Sequence, residues 1–138
     1  MNYAHQGVEL SRSFKAFKIW CSLRAFGVES FVAAIDSTLD MARYLERQLL
    51  KTGIFDVVAP VTLNAVCFKV RAASDAAQRQ VLAAIIEEGT AFLGPATIRG
   101  HSAIRACVTN YRTRTADLDQ LVERLAAHAA TSHGWRRT

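Results

Sequence analysis

A chain of 138 residues with 51% apolar and only 21% charged side chains has enough length and apolar content to build a core, so general disorder is excluded and one folded domain is expected. The net charge of +5 comes from 17 basic and 12 acidic residues that are scattered, apart from Tyr111-Arg112-Thr113-Arg114 and the Trp135-Arg136-Arg137 tail. A nucleic-acid site would need Lys and Arg interleaved with aromatics along one face, and no such stripe exists, so no nucleic-acid partner is expected.

Residues 1–10 are polar and have no period. From residue 11 the pattern is helical: Ser11, Lys15, Lys18 and Ser22 recur at intervals of four, three and four, which puts them on one narrow stripe. Phe14, Phe17, Ile19, Trp20, Cys21, Leu23 and Phe26 cover most of the remaining circumference. A helix that is apolar over so much of its surface needs partners on more than one side, and a domain of this size can hardly supply them. The spacing therefore predicts a helix built to pack against additional protein. Gly27 interrupts it, and a second helix over residues 29–50 places Phe31, Ile35, Leu39, Ala42, Leu45 and Leu49 on one side and Asp36, Asp40, Arg43 and Arg47 on the other. Asp40 and Arg43 stand at i,i+3 and can form a weak surface pair. Lys51-Thr52-Gly53 closes that helix with a basic last turn and a glycine stop.

Residues 54–59 are a short β-rich run, Pro60 breaks it, and residues 61–71 form a longer one with Val66, Phe68 and Val70 facing one way and Cys67, Lys69 and Arg71 the other. Ser74 and Asp75 open a helix whose buried face is expected to be Ala77, Val81, Leu82, Ile85 and Ile86, with Gly89 ending it. Gly94 and Pro95 break the next apolar run, and Arg99-Gly100-His101-Ser102 supplies turn chemistry. Ile104, Ala106 and Val108 then alternate with Ala103, Arg105, Cys107 and Thr109 at the strand period. Arg105 is thus carried in mid-strand on the face opposite Ile104 and Ala106, where a β-branched residue would be the easy choice. Thr115 is placed to cap a last helix, with Asp117 and Asp119 in its first turns and Leu118, Leu121, Val122 and Leu125 on one face.

The order helix, helix, strand, strand, helix, strand, strand, helix predicts an α/β domain of the α+β kind. Its antiparallel sheet has about four strands covered by helices on one face and is preceded by two linking helices. The tail over residues 127–138 is expected to fray.

Cys21, Cys67 and Cys107 lie far apart inside apolar patterns, with no C-x-x-C and no histidine at ligand spacing, so they are read as core residues of a reducing compartment and no metal is expected. No signal-peptide core opens the chain, and no run approaches the ~18 apolar residues that span a bilayer, so a cytoplasmic protein with no membrane partner is expected. Among catalytic motifs, G-x-S-x-G, a Walker loop, G-x-G-x-x-G and H-E-x-x-H are all missing. His5, His101, His128 and His133 are isolated and are read as exposed.

Three stretches carry a resemblance. Gly94, a strand containing P-x-T, a turn at Arg99-Gly100, I-R-A-C-V-T-N and then T-x-D-L-D resemble the close of the group II pyridoxal-phosphate-dependent amino-acid decarboxylases, the aromatic and glutamate type. LSRSFKAFKIWCSLRAFGVESF over residues 10–31 is similar to the stretch where that family's large cofactor-binding domain hands over to its small C-terminal domain, and VCFKV over residues 66–70 is similar to the middle of the small domain. The resemblance runs along nearly the whole chain but covers only about the last third of such an enzyme. It implies the C-terminal domain of the fold-type I transferase architecture, divided as lead-in 1–10, linking helices 11–52, small domain 53–126 and tail 127–138.

The resemblance also implies pyridoxal phosphate as cofactor of the complete enzyme and a large domain of the same family as partner. That cofactor needs a Schiff-base lysine, an acid for its pyridine nitrogen and a phosphate cradle, all of which the family carries in its large domain. Lys15, Lys18, Lys51 and Lys69 are outside the family's serine-histidine-lysine context and are read as surface charge. The segment alone is therefore expected to bind no cofactor and to lack activity, with no catalytic residue in it. Arg105 aligns with the arginine that holds the substrate carboxylate in glutamate-type members, a task for a planar bidentate donor. Arg12 aligns with an arginine near the domain junction. Leu93 and Gly94 depart from the family, which often has an aromatic or hydroxyl residue there, so substrate choice does not carry over. A homo-oligomer through residues 11–31 is expected, and the alternative to a decarboxylase segment is a stand-alone α+β binding or dimerisation module.

Overall fold

Alternation of buried and solvent-facing side chains along residues 65–70 and 101–107 makes a sheet with one covered face. The chain is described by a computed structural model over residues 14–133, with side chains through residue 131. Among the described residues the elements are α1 (Lys15–Phe26), α2 (Val28–Lys51), β1 (Phe55–Val57), β2 (Ala65–Val70), α3 (Asp75–Glu88), β3 (Gly94–Ile98), β4 (His101–Cys107) and α4 (Thr115–His133). This is the expected order. The chain divides into two compact units, Met1–Ala34 and Ile35–Thr138.

In the second unit the strands lie in the order β1-β2-β4-β3, every neighbouring pair antiparallel. Phe55, Val66, Phe68, Val70, Ile104, Ala106 and Val108 form the covered face, with the Phe55 and Phe68 rings edge-on at 5.7 Å. Ala42, Leu45 and Leu49 of α2, Val81, Leu82 and Ile85 of α3, and Leu118, Leu121, Val122 and Leu125 of α4 complete the same core. Each such side chain contributes about 1.5–3 kcal/mol on burial. Ser74 caps α3 by accepting a hydrogen bond from the Ala77 N–H, and Gly53, at φ +69°, ends α2 where an L side chain would be strained. The boundary expected at residue 127 falls inside α4, which buries Ala129.

Several expectations change. Ile86 is 39% exposed and not part of the α3 core; its place is taken by Gln78, which is buried. The Gln78 carboxamide accepts from the Val70 N–H at 2.9 Å and donates to the Val70 carbonyl at 2.8 Å. It serves as a strand neighbour at the end of β2, because β4 last pairs with β2 at Phe68. Gly94 and Pro95 end the apolar run of residues 91–93 and themselves begin β3, as an edge strand permits. None of the three cysteines is in the core: Cys21 and Cys67 are half-buried and Cys107 is exposed, the latter two because they fall on the odd-numbered, uncovered face of the sheet. On α2, burial begins at Thr38, and Phe31 and Ile35 remain exposed.

In the first unit, α1 buries none of its residues. Phe14 stacks on Phe17 at 5.7 Å and Phe17 on Trp20 at 6.1 Å, a ladder of rings at i, i+3, i+6. Phe14 is 74%, Trp20 58% and Phe26 69% exposed.

Candidate functional site

The face of the sheet turned away from α2, α3 and α4 gathers the polar chemistry. The strand period puts Asp56 of β1, Ala65, Cys67 and Lys69 of β2, Ala103, Arg105 and Cys107 of β4 and Gly94, Ala96 and Ile98 of β3 on it. Arg105 lies opposite both Cys67 and Gly94, so its guanidinium sits near the middle of the sheet. It leans over Gly94: a Cβ built there would touch Nη2 at 3.5 Å. A larger side chain at 94 would compete with the guanidinium for this space.

Arg105 is exposed and has no ion pair or hydrogen bond among the described residues. The carboxylate of the same face, Asp56, is already engaged by Arg71, which donates from Nε at 3.0 Å and Nη2 at 2.9 Å to Oδ1. A structural salt bridge within the described chain therefore does not account for Arg105. A free, planar, bidentate donor on an open face can take a carboxylate or phosphate. Arg12, the other candidate, lies outside the described residues, as does His5.

Lys15, Lys18 and Lys51 are exposed on helices, and Lys69 is half-buried on the open face. No group of three or more His, Cys, Asp or Glu that could hold a metal ion occurs among the described residues.

One cluster was missed in the sequence. His128, read as an exposed tail residue, is half-buried on α4 and its Nε2 lies 2.6 Å from Glu88 Oε2 at the end of α3. Arg124 Nε lies 2.6 Å from Glu88 Oε1 without its N–H pointing along that line, so the contact is an ion pair more than an aligned hydrogen bond. Arg124 first, and then His128, pull the Glu88 carboxyl down to about 2. An ionised carboxylate can only accept, so His128 Nε2 carries the proton. The signal was the i,i+4 spacing of Arg124 and His128 on one helix face. Tyr44 of α2 likewise donates to Asp119 of α4 at 2.8 Å, and that acceptor holds its phenol above the usual tyrosine value. Both contacts tie helices together and neither faces the open sheet.

The family model described as "Pyridoxal-dependent decarboxylase conserved domain" matches residues 1–71. An aromatic-L-amino-acid decarboxylase of Bacillus atrophaeus is 32% identical over 136 residues, covering 94% of this chain and 28% of that protein. A histidine decarboxylase of Rattus norvegicus is 32% identical over 117 residues, 85% of this chain and 18% of its own length. Among solved structures, Oryza sativa TDC with PLP superposes with a TM-score of 0.84 at 22% identity, over 94% of this chain and 30% of that one. A Catharanthus roseus tryptophan decarboxylase in complex with L-tryptophan gives a TM-score of 0.83 at 19% identity. These structural likenesses are of fold. The chain spans less than a third of the length of the relatives it matches.

Proposed function

This chain belongs to the pyridoxal-dependent decarboxylase family, and from that premise we propose that it serves as the C-terminal domain of a carboxy-lyase that removes the α-carboxylate of an L-amino acid. Pyridoxal phosphate is the family's cofactor and supplies the electron sink of such chemistry when bound. The residues described here do not fit it. Lys69 is the one lysine on the open sheet face, its cross-strand neighbour Asp56 is taken by Arg71, and no carboxylate is left for a pyridine nitrogen. A large domain of the same family is the partner that would bring the lysine, the acid and the phosphate cradle, and the lone segment is inactive on this reading.

The observation that carries the proposal is the guanidinium of Arg105 on an open face, unpaired among the described residues. Its role is to hold a substrate carboxylate bidentately, as in the glutamate-type members that residues 104–110 resemble, and Arg12 is retained as a second substrate-side arginine near the domain junction. The division into lead-in 1–10, linking helices 11–52 and a small domain that starts at 53 and continues through α4 past the boundary expected at 127 belongs to the same reading, as does a cytoplasmic location. Among the described residues no helix is long and apolar enough to cross a membrane.

A second reading, a stand-alone binding or dimerisation module, is favoured by one feature only, the unburied aromatic ladder of α1. That ladder also supports a homo-oligomer through residues 11–31. Treating the 138-residue chain with pyridoxal phosphate and borohydride tests the inactive-segment reading. No specific lysine should be labelled, and stoichiometric labelling of one of them would refute it.

A further inference from the structure

We propose that the end of the open sheet face nearest the β3–β4 hairpin holds a compact oxyanion, phosphate by preference, at a site made by Lys69, Arg99 and His101. The first observation is conformational. Arg99 and Gly100 are the two central residues of the hairpin turn and both have positive φ, +52° and +82°, the pattern of a type I′ turn whose first central position favours Asn or Asp over a long side chain. An arginine there is strained where an asparagine would not be, and strain retained at an exposed turn points to what the side chain does.

The second observation is where that side chain stands. Arg99 joins Lys69 and His101 around a hollow of about 330 Å³, with Ala103, Val58 and Ile98 among its lining. Small residues on the strands, Ala96 paired with Ala103, leave the floor low. None of the three basic residues has an ion pair or hydrogen bond among the described residues. The nearby carboxylates are committed, Asp56 to Arg71 and Asp75 to the Ser102 N–H at 3.1 Å. Three basic side chains thus line one hollow with apolar walls. The carboxylate beside it, Asp56 across from Lys69, is held by Arg71, which leaves these donors for a group that only accepts. A tetrahedral dianion meets several donors at once and gains more from them than a single carboxylate does.

This site lies one to two strand rows from Arg105 and is separate from the carboxylate role given to that residue. It does not rest on the decarboxylase reading, because binding is measured directly on the 138-residue chain. Inorganic phosphate is titrated at constant ionic strength by calorimetry, with acetate in a parallel arm, into the native chain and into Arg99→Asn, Lys69→Gln and, as a charge control, Lys51→Gln. Removing one exposed cation from a formed site should weaken phosphate about fivefold in Arg99→Asn and in Lys69→Gln, with Lys51→Gln unchanged. Because asparagine suits the turn, Arg99→Asn should melt no lower than the native chain, so a loss of binding there cannot be unfolding. Equal losses in all three variants, or none, would overturn the proposal, and acetate binding as tightly as phosphate would overturn the preference for phosphate.

Discussion

At Arg105 two roles make opposite predictions. If the guanidinium holds a substrate carboxylate in a protein completed by a large domain, Arg105→Lys keeps the charge and loses the fork. A desolvated, charge-assisted contact of this kind is worth about 1.5–3 kcal/mol, so KM should rise roughly ten- to a hundredfold when chemistry is slow, with the melting temperature unchanged. If the residue serves stability, the melting temperature should fall and kinetics per folded enzyme should stay the same. Both quantities are read on one preparation. The face on which Arg105 stands was legible from alternation alone, since Ile104 and Ala106 are buried and Arg105 is not. Gln78 was not legible: its burial depends on β4 leaving Val70 without a strand partner on that side, a fact of register that no local pattern carries. His128 and Cys107 were misjudged for a similar reason, because the first meets Glu88 forty residues away and the second follows its strand to the open face.

Between α3 and α4 the Glu88 cluster makes a pH-dependent tie. The Glu88 carboxyl is lowered from 4.5 to about 2 by Arg124 and His128. The charged form is therefore favoured by folding, and the stability it contributes is full above pH 4.5 and is lost as pH falls toward 2. Thermal melts across that window should show a fall in melting temperature that Glu88→Gln flattens, and an identical slope in the variant would remove the tie. Helix α1 raises the opposite issue, burial that has not happened. Phe14, Phe17, Trp20 and Phe26 can each bury on the order of 150–250 Å², so the chain should self-associate through residues 11–31. Replacing Phe17 and Trp20 by serine should shift sedimentation toward monomer, while a native chain already monomeric at high concentration would count against this surface. Existence and order of the helices and strands followed from period and stop signals. What escaped was the detail of depth, such as exposed Ile86 and the late start of burial on α2 at Thr38, because depth depends on which neighbouring element lies opposite.

For the whole molecule, the architecture of a four-stranded antiparallel sheet with helices on one face could be read from element order, and the family from residues 10–31, 66–70 and 94–119. The site could be read only in part, since a face that is open in this chain is defined by whatever covers it. The most direct test of the central claim joins this chain in frame behind the large domain of the Bacillus atrophaeus relative, in place of that protein's own C-terminal segment, and measures carbon dioxide release from amino acids. The fusion should load pyridoxal phosphate and release carbon dioxide where the isolated chain releases none. A folded, cofactor-loaded fusion that decarboxylates nothing, beside a parent enzyme active under the same conditions, would contradict it.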